Sequence, residues 1–461
     1  MGAPSLQVES LALNSGALLA LAERFPERYP ALLDSAAEGP LSQVSLLAAL
    51  PRGCLRLDAR GVLHAGGGLP PARGSNFLDE LDLLWRAGTQ AAPEQAAPLP
   101  FHGGWLVYLG YELALQIEPT LGRYWPERSR RDARPVAWAL RIPAVLGVDA
   151  QGRGFLVSES SVTADERRSI LEDLRQVARP GSSAGAPVLQ ATEEDPAAYL
   201  QRVLRAQEYI RAGDIYQANL SRPWRTTLPR DCSAVELYRR LRQSNPAPFA
   251  AFAQQGDFRI LSSSPERLLR VRGRRLDTRP IAGTHPRGAT PQADRDLAAA
   301  LIAHPKERAE HVMLIDLARN DLGRVSTGGS VHVDEYMAVE TYAHVHHIVS
   351  NVTGELAPGV SPVQALRAVF PGGTITGVPK VRCMQIIAEL EGEPRGPYTG
   401  SLGYLNHDGS ADFNILIRSM SLCGDELEFR AGAGIVADSS PERELAETRA
   451  KARGLLLALR P

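Results

Sequence analysis

The grouping of short apolar runs is the feature of this sequence that most limits its fold. In the second half of the chain these runs follow one another at hairpin spacing, and helical segments separate whole groups of runs rather than single ones. Such an order favours antiparallel hairpins over a regular βαβ repeat. The sequence therefore predicts an α+β fold with mostly antiparallel sheets. The predicted strands occupy residues 46–50, 104–109, 137–148, 154–157, 215–220, 249–253, 259–263, 268–272, 330–333, 342–350, 398–405, 413–422 and 426–436.

The helix predicted after residue 195 has signals at both ends. Asp195 can cap it, Pro196 suits its first position, and Gly213 can end it. Between these residues apolar side chains recur at helical spacing, at positions 199, 203, 206 and 210. Further helices are predicted at residues 77–86, 165–177, 292–301, 305–318, 362–370, 380–390 and 441–457.

Two stretches without regular patterning indicate loops. Residues 87–100 are rich in Ala, Pro and Gln, and residues 179–187 are rich in Gly and Ser. The second stretch separates weaker patterns in the N-terminal third from sharper ones after it. We therefore predict an N-terminal region over residues 1–178 and a second unit over residues 190–461.

Composition argues against several classes of protein. The 461 residues include 44% hydrophobic and 22% charged side chains, with a net charge of −1. The arginines are dispersed among acidic residues, which argues against a nucleic-acid binder, and no apolar run reaches the roughly 18 residues of a membrane span. The 4 cysteines form no CxxC pair and are typical of reduced thiols. Because the pattern of a signal peptide is also missing, we expect a cytoplasmic protein.

Lysine is rare in this chain. Of the 51 basic residues only three are lysines, namely Lys306, Lys380 and Lys451. The lysine ammonium differs from the planar arginine fork in reach, hydration and pKa behaviour. Positions that remain lysine are therefore candidates for chemistry that arginine cannot do, and chance survival of surface lysines is the alternative.

Two predicted helices carry glutamates three residues apart. Glu307 and Glu310 share one helix face, and Glu444 and Glu447 share a face of the last helix, with Lys451 one turn further on. Two such faces brought together would form an oxygen-only site suited to Mg²⁺. Spacing alone fits two solvated helix faces better, because this motif is common on surface helices.

Two glycine-containing segments are able to approach an anion. The Gly/Thr-rich turn at residues 372–380 leads into a predicted helix and can offer backbone N–H groups. It is not a phosphate-binding P-loop, because Lys380 follows a proline and the GKS or GKT ending is missing. Gly432 and Gly434 interrupt a predicted strand and allow a ligand close to the backbone. An ordinary turn and a sheet bulge explain the same glycines.

Four motifs in this order resemble those of the chorismate-utilising enzymes. They are RPIAGT at residues 279–284, DLARNDLGR at 316–324, FPGGTITGVPK at 370–380 and GAGIV at 432–436. The resemblance extends over residues 195–458. It implies two mostly antiparallel β-sheets packed as a sandwich and flanked by helices, in αββα layers like those of anthranilate synthase component I.

The resemblance also implies a binding role for each matching residue. Glu310 and Glu447 would bind Mg²⁺ directly, with Glu307 and Glu444 in support, and the ion would hold the ring carboxylate of chorismate. Thr284 would contact the substrate nearby, and Lys380 would order the rim of the site. The groups expected at the enolpyruvyl carboxylate are Arg418, Tyr398, Lys451 and the backbone of Gly432, Ala433 and Gly434.

Glu266 occupies the place of the general acid in this family. Hydroxide is a poor leaving group, so loss of the C4 hydroxyl requires a poised acid. Partial burial and neighbouring carboxylates would raise the pKa of Glu266 and keep it protonated. His347 matches the family histidine beside the reacting ring, and a core histidine is the plain alternative.

Two positions bear on the nucleophile. Family members that add water at C2 have a lysine where this chain has Gln217, which argues against isochorismate or salicylate synthesis. Many aminodeoxychorismate synthases have a nucleophilic lysine where this chain has Ala282, and anthranilate synthases usually have alanine there. Other segments resemble the aminodeoxychorismate branch, namely residues 215–220, 264–267, 345–349, 370–373 and 400–404.

We therefore predict an Mg²⁺-dependent aminodeoxychorismate synthase that makes 4-amino-4-deoxychorismate for 4-aminobenzoate and folate. The alternative is anthranilate synthase component I, which converts chorismate and ammonia to anthranilate and pyruvate for tryptophan. No cysteine lies in a glutaminase-like nucleophile elbow, so the predicted partner is a glutamine amidotransferase subunit in a heterodimer. A non-catalytic regulatory subunit that binds chorismate and Mg²⁺ is the alternative of a different class.

One N-terminal segment bears on regulation. Leu33, Asp34 and Ser35 lie where related enzymes build a tryptophan pocket between their sheets. Such a pocket is regulatory in anthranilate synthases and can be structural in the aminodeoxychorismate branch. An ordinary strand and turn explains these residues equally well.

Overall fold

Two large sheets form the centre of the molecule in the computed structural model. The structure describes residues 6–37, 44–89, 99–125, 132–177, 188–229, 232–341 and 345–460, except for the side chains of residues 284–286 and 306. The predicted α+β class is confirmed, because antiparallel sheets combine with flanking helices.

Across the described residues, a 12-stranded sheet forms the first layer of strands, and its ladders are antiparallel. Its strand order is β1 (Leu6–Leu11), β9 (Gly154–Glu159), β8 (Ala144–Asp149), β3 (Val44–Ala49), β2 (Ala31–Asp34), β12 (Phe249–Gln255), β13 (Phe258–Ser264), β22 (Ser419–Cys423), β23 (Glu426–Ile435), β11 (Gln217–Thr227) and β10 (Thr192–Glu193), with β19 (Gly377–Val378) beside β11.

An 11-stranded sheet, counted over the same part of the chain, forms the second layer, again with antiparallel ladders. Its strand order is β16 (Ile281–Pro286), β18 (Val345–Glu355), β15 (Arg275–Thr278), β14 (Arg267–Arg272), β21 (Ala411–Asn414), β20 (Ser401–Asn406), β6 (Gly104–Leu109), β7 (Ala137–Ile142), β4 (Gly53–Leu57) and β5 (Leu63–Gly66), with β17 (His332–Thr341) beside β18.

Helices cover the outer faces of both sheets. Asp195 caps one of them as predicted, since its side chain accepts the N–H of Ala197. The α-helices are α1 (Ser15–Arg24), α2 (Phe77–Gly88), α3 (Ala114–Ile117), α4 (Ala164–Val177), α5 (Pro196–Arg211), α6 (Ala234–Ser244), α7 (Pro291–Ala303), α8 (Pro305–Gly323), α9 (Pro362–Val369), α10 (Lys380–Glu391) and α11 (Pro441–Ala458). Short 3₁₀ turns occur at Tyr111–Leu113, Pro119–Arg123 and Gly373–Ile375. Among the described helices, none has the length and apolar character that a membrane crossing requires.

Three apolar clusters hold the layers together. Between the sheets, Phe258 of the first sheet meets Tyr108 of the second, with ring centroids 5.6 Å apart, and Trp138 packs beside them. A second cluster joins the first sheet to α1, α4, α6 and α11, and a third joins the second sheet to α2, α8 and α9. Full burial of each large apolar side chain contributes roughly 1.5–3 kcal/mol. The predicted αββα layers are confirmed.

Two predicted strands are wrong as single strands. The apolar run at residues 137–148 divides at Pro143 into β7 and β8, which lie in different sheets. The run at 413–422 divides in the same way into β21 and β22, and Arg418 between them has a φ of 50°. Apolar residues continue on both sides of each passage, so hydrophobicity alone does not mark where the chain changes sheets.

Strands from both predicted regions enter both sheets. Residues 1–178 supply β1–β9, of which β4–β7 belong to the second sheet and the others to the first. The two regions meet where β2 pairs with β12 and where β6 pairs with β20. The predicted boundary at residues 178–187 lies outside the described residues. The two predicted regions therefore do not form one sheet each, since both contribute strands to both sheets.

Candidate active site

Glu266 lies in the short break where the chain passes from β13 in the first sheet to β14 in the second. Its backbone N–H donates to the Ser264 hydroxyl at 3.2 Å, and its carbonyl accepts the N–H of Ile415 at 3.0 Å. Pro265 restricts the backbone between them. The residue is 3% exposed. The carboxyl group is thus fixed at the edge shared by the two sheets.

The electrostatic environment of Glu266 suits a proton donor. Burial raises the pKa of Glu266 to about 7. Hydrogen bonds from Thr374 and the Ile281 N–H, and the charges of Arg418 and Lys451, act in the opposite direction and lower this pKa. The Thr374 hydroxyl donates to Glu266 Oε1 at 2.8 Å. The expected contribution from neighbouring carboxylates is not among these causes, and cations act there instead. A large fraction of Glu266 is therefore protonated at neutral pH.

His347 lies on β18 and is buried. Its Nδ1–H donates to the Gly283 carbonyl at 3.3 Å. Burial, followed by the charge of Arg418, lowers the pKa of His347 to about 3, so the ring is neutral. Lys451 also acts on this pKa. Because the same two cations act on Glu266 and His347, these predicted site residues lie around one shared site.

The RPIAGT motif forms an irregular edge beside His347. Ala282 pairs with Ile348 and Thr284 with His347, so the register shifts at Gly283. Gly283 has a φ of 64°, which favours glycine. The backbone of Thr284 therefore lies beside His347, whereas its side chain, predicted to contact substrate, lies outside the described part. Ala282 carries no amine at the position of the family nucleophile.

The GAGIV motif forms a glycine-lined surface on β23. A Cβ at Gly432 would lie 2.5 Å from Asn219 Oδ1 and 2.7 Å from the Tyr398 hydroxyl, and one at Gly434 would lie 2.4 Å from Gln217 Nε2. Ala433 between them is buried. Glycine is thus required for these side chains to approach the strand.

Lys451 of α11 reaches this glycine-lined surface. Its ammonium donates to the Gly432 carbonyl at 3.0 Å and pairs with Glu447 at 2.7 Å. The side chain is 30% exposed, so it is only partly covered by protein. A cation beside a glycine backbone and a tyrosine hydroxyl is suited to bind a carboxylate. The predicted carboxylate-binding residues Tyr398, Gly432 and Lys451 are therefore brought together.

Substituting Gly432 with alanine should weaken substrate binding and stability. The added Cβ would meet the Leu220 carbonyl at 2.7 Å as well as Asn219 and Tyr398. Overpacking of this kind costs about 1–3 kcal/mol. We expect a lower Tm and a raised KM for the anionic substrate. Gly66→Ala is the matched control, because a Cβ there meets nothing within 4 Å; equal effects of both changes would contradict the assignment.

The four predicted metal-binding glutamates lie on two helices, Glu307 and Glu310 on α8 and Glu444 and Glu447 on α11. Glu307 Oε2 of α8 lies 2.9 Å from where a Cβ of Gly283 would be, next to the carbonyl that His347 contacts. On α11, Glu444 is buried and Glu447 is bonded to Lys451. Within the described residues no group of three or more metal-ligating side chains is already assembled. Mg²⁺ commonly takes one or two protein carboxylates, substrate oxygens and waters, so this donor set fits a site completed by substrate.

Two other predicted residues have structural contacts. Lys380 Nζ pairs with Asp321 at 2.6 Å and donates to the Val369 carbonyl at 3.3 Å, which ties α10 to α8 and α9 at the rim of the site. Arg418 adopts a φ of 50°, and its carbonyl accepts the N–H of Ser263 at 3.1 Å. The side chain of Lys306 lies outside the described part of the structure.

The predicted N-terminal pocket coincides with a cavity of about 130 Å³ between the sheets, lined by Leu33, Asp34 and Ser35. Asp34 accepts hydrogen bonds from Ser45 at 2.7 Å and Tyr238 at 3.0 Å. Arginines and Tyr404 of the second sheet complete the lining. The cavity is compatible with a small ligand, and its occupant stays a prediction.

Thr374 is a site residue that the sequence prediction missed. It lies in the 3₁₀ turn Gly373–Ile375, inside the Gly/Thr-rich segment whose backbone alone was considered. Its hydroxyl, rather than a backbone N–H, contacts Glu266. The sequence did offer a signal for Thr374, because this threonine lies within the FPGGTITGVPK motif.

The chain matches a family model and well-covered relatives. The model described as chorismate binding enzyme matches residues 70–457. The anthranilate synthase component 1 of Thermus thermophilus is 41% identical over 448 residues, which cover 96% of this chain and 94% of the relative. The aminodeoxychorismate synthase component 1 of Bacillus subtilis is 46% identical over 305 residues, which cover 64% of each chain.

A solved structure agrees with these matches. Anthranilate synthase component I from Streptococcus pneumoniae superimposes with a TM-score of 0.77 at 31% identity, covering 91% of this chain and 93% of that one. The buried acid, the neutral histidine and the glycine-lined surface all lie within the range of the family model. On these grounds the chain belongs to the chorismate-binding enzyme family.

Proposed function

We propose that this chain aminates chorismate with ammonia and that the product is anthranilate, released together with pyruvate. The observation that carries the proposal is the buried Glu266, which has a pKa of about 7 and is acted on by the charges of Arg418 and Lys451. A general acid and cationic carboxylate binders are what a dicarboxylate with a poor leaving group requires.

In this proposal the residues around Glu266 bind and orient the substrate. Lys451, Tyr398 and the Gly432–Gly434 backbone bind the enolpyruvyl carboxylate, with Arg418 close by. Glu266 gives its proton to the C4 hydroxyl, which leaves as water while ammonia adds at C2 and loses a proton. Loss of the C2 proton and cleavage of the C3–O bond then release the enolpyruvyl group, which takes up a proton to become pyruvate and leaves the aromatic ring of anthranilate. The neutral His347 lies beside the ring without competing for that proton. Glu310 and Glu447, supported by Glu307 and Glu444, would hold Mg²⁺, which supplies charge neutralisation and orientation of the ring carboxylate.

Two observations favour anthranilate as the product. Ala282 offers no amine for a covalent route, and alanine is usual at this position in anthranilate synthases. The Thermus thermophilus relative named as anthranilate synthase component 1 also matches over nearly its whole length. The comparisons therefore favour anthranilate synthase component I, which was the alternative predicted from the sequence, over aminodeoxychorismate synthase, which was the main prediction.

Aminodeoxychorismate synthesis remains the second candidate. The segments at residues 264–267, 345–349 and 400–404 resemble that branch, and the Bacillus subtilis relative of that name matches over 64% of this chain. In either case we propose that a separate glutamine amidotransferase subunit supplies the ammonia.

Product identity distinguishes the candidates. We expect the purified chain, given chorismate, ammonium and Mg²⁺, to release fluorescent anthranilate without any added lyase. Formation of 4-aminobenzoate only after addition of a lyase would instead establish the aminodeoxychorismate branch. Absence of turnover with and without Mg²⁺ would favour the non-catalytic regulatory subunit.

A further inference from the structure

Arg395 is a buried arginine, between α10 and β20, that was not among the predicted site residues. Its guanidinium has five N–H donors. Nε and Nη2 donate to Glu391 at 2.9 and 2.6 Å, and Nη2 also donates to the Asn219 carbonyl at 2.7 Å. Nη1 donates to the Ile375 carbonyl at 3.1 Å and to the Thr399 hydroxyl at 3.4 Å. All five donors therefore have an acceptor.

These acceptors lie in the segments that carry the site. Ile375 follows Thr374, whose hydroxyl contacts Glu266. Asn219 lies on β11 against Gly432. Thr399 follows Tyr398, whose ring centroid is 5.6 Å from the Arg395 guanidinium carbon. One side chain thus links the turn behind the acid to the strand and tyrosine of the carboxylate-binding surface.

We propose that Arg395 is a positioning residue that fixes the acid side of the site relative to its carboxylate-binding side. The roles of Glu266 and Tyr398 in this proposal rest on the proposed function. The link that Arg395 makes between their segments rests on its hydrogen bonds alone. Reacting groups must be held within about 1 Å of their productive places, because larger displacements cost about 100-fold in rate.

The N-terminal region braces Arg395 from behind. Glu112 accepts the backbone N–H of Arg395 at 2.8 Å and that of Gly396 at 3.0 Å. The ring centroid of Tyr111 lies 4.8 Å from the guanidinium carbon. Glu112 and Tyr111 belong to the 3₁₀ turn Tyr111–Leu113, so residues far upstream of the motifs hold the link in place.

Arginine suits this position better than lysine. Its planar fork serves acceptors in several directions at once, whereas an ammonium has three donors at one point. Arg395→Lys keeps the charge beside Glu391 and loses the fork, and Arg395→Met loses both. The turn that carries Thr374 then loses its side-chain tie at Ile375 and is held to β11 only by backbone contacts, such as the Asn219 N–H that donates to the Thr376 carbonyl at 2.8 Å.

Arg430 provides a matched control. It is as buried as Arg395, at 1% exposure, and it pairs with the same Glu391 at 3.2 Å. Its other partners are Glu393 at 2.8 Å and the Ser221 hydroxyl at 3.1 Å. Arg430→Lys therefore perturbs the same buried ion pair without touching the Ile375 and Thr399 contacts.

The test measures kcat, KM and the pH profile of kcat/KM for chorismate with ammonium. We expect Arg395→Lys and Arg395→Met to lower kcat about 100-fold. The Thr374 hydrogen bond lowers the pKa of Glu266, so its loss should move the high-pH limb of the profile upward. Arg430→Lys should leave that limb in place. Equal kinetic effects of the Arg395 and Arg430 changes would overturn the proposal.

A second measurement does not depend on turnover. In protein with ¹³C-labelled glutamate, NMR titration follows the Glu266 carboxyl, which is assigned by its loss in Glu266→Gln. We expect its pKa to rise in Arg395→Met and to stay unchanged in Arg430→Lys. An unchanged value in Arg395→Met overturns the positioning role, even if the wild-type chain proves inactive toward chorismate and the proposed function fails.

Discussion

Replacing Glu266 with glutamine is expected to lower kcat by about 100- to 10,000-fold, the usual contribution of a general acid. The carboxyl is buried, accepts a hydrogen bond from Thr374 at 2.8 Å, and has a pKa of about 7 because of its burial. Glutamine has nearly the same shape but cannot give a proton to the departing hydroxyl. Chorismate binding, measured by calorimetry, should therefore persist while product formation is lost.

The raised pKa of Glu266 determines how the activity should depend on pH. The pKa of Glu266 is raised above its usual value, so the acid form prevails below about pH 7 and is lost as the pH rises. We expect kcat/KM to fall above that pH in the wild type. The residual rate of the variant should show no such fall. The same burial predicts that Glu266→Gln is more stable than wild type at alkaline pH.

Glu80→Gln is a suitable control for this prediction. Glu80 on α2 is also 3% exposed and accepts the N–H of Arg73 at 2.9 Å. The change removes a buried carboxyl outside the candidate site and should leave the pH limb unchanged. A fully active Glu266→Gln enzyme with an unaltered pH profile would rule out Glu266 as the acid.

Replacing Glu310 with glutamine should make turnover strongly dependent on high Mg²⁺ concentration. Glu310 and Glu307 share a face of α8, and Glu307 reaches the edge of the site at Gly283. Loss even of a group that only orients a metal ligand costs about 10- to 100-fold in metal affinity or activity, so loss of a direct ligand should cost about 100-fold or more. The expected result is a large rise in the Mg²⁺ concentration for half-maximal rate.

Glu442→Gln provides the comparison for the metal prediction. Glu442 is an exposed glutamate in the first turn of α11, where its carboxylate accepts the Ser440 hydroxyl at 3.0 Å. Its change should leave the Mg²⁺ titration as in wild type. If Glu310→Gln and Glu442→Gln give the same titration as the wild type, Glu310 is not a metal ligand.

The α+β class was predictable because apolar runs grouped at hairpin spacing leave a local pattern, whereas the αββα layers were implied by the family resemblance. The sequence did not predict where β7 passes into β8 or where β21 passes into β22, because apolar residues continue on both sides of each passage. The joining of distant strands β2 with β12 and β6 with β20 is likewise set by tertiary contacts. Local periodicity contains no information on such pairings.

For the candidate site, motif residues were predictable and their supports were not. Glu266, His347 and Lys451 were identified from the family resemblance, and Lys451 together with Arg418 acts on both Glu266 and His347 in the structure. Arg395 and Glu112 were missed because arginine and glutamate are common and their burial is visible only in the fold. The same limit explains why the pKa of Glu266 was attributed in part to carboxylates rather than to burial with cations nearby.

The interleaving of the two regions has a consequence for synthesis on the ribosome. After β1–β9 have emerged, β2 and β6 are each paired on one edge, and the other edge has no neighbour until β12 and β20 are made. Unpaired strand edges readily join other chains. We therefore expect the nascent N-terminal region to need protection from aggregation, and a chain truncated before β12 to accumulate as insoluble protein. Catalytic competence arises only when the last third of the chain has closed both sheets.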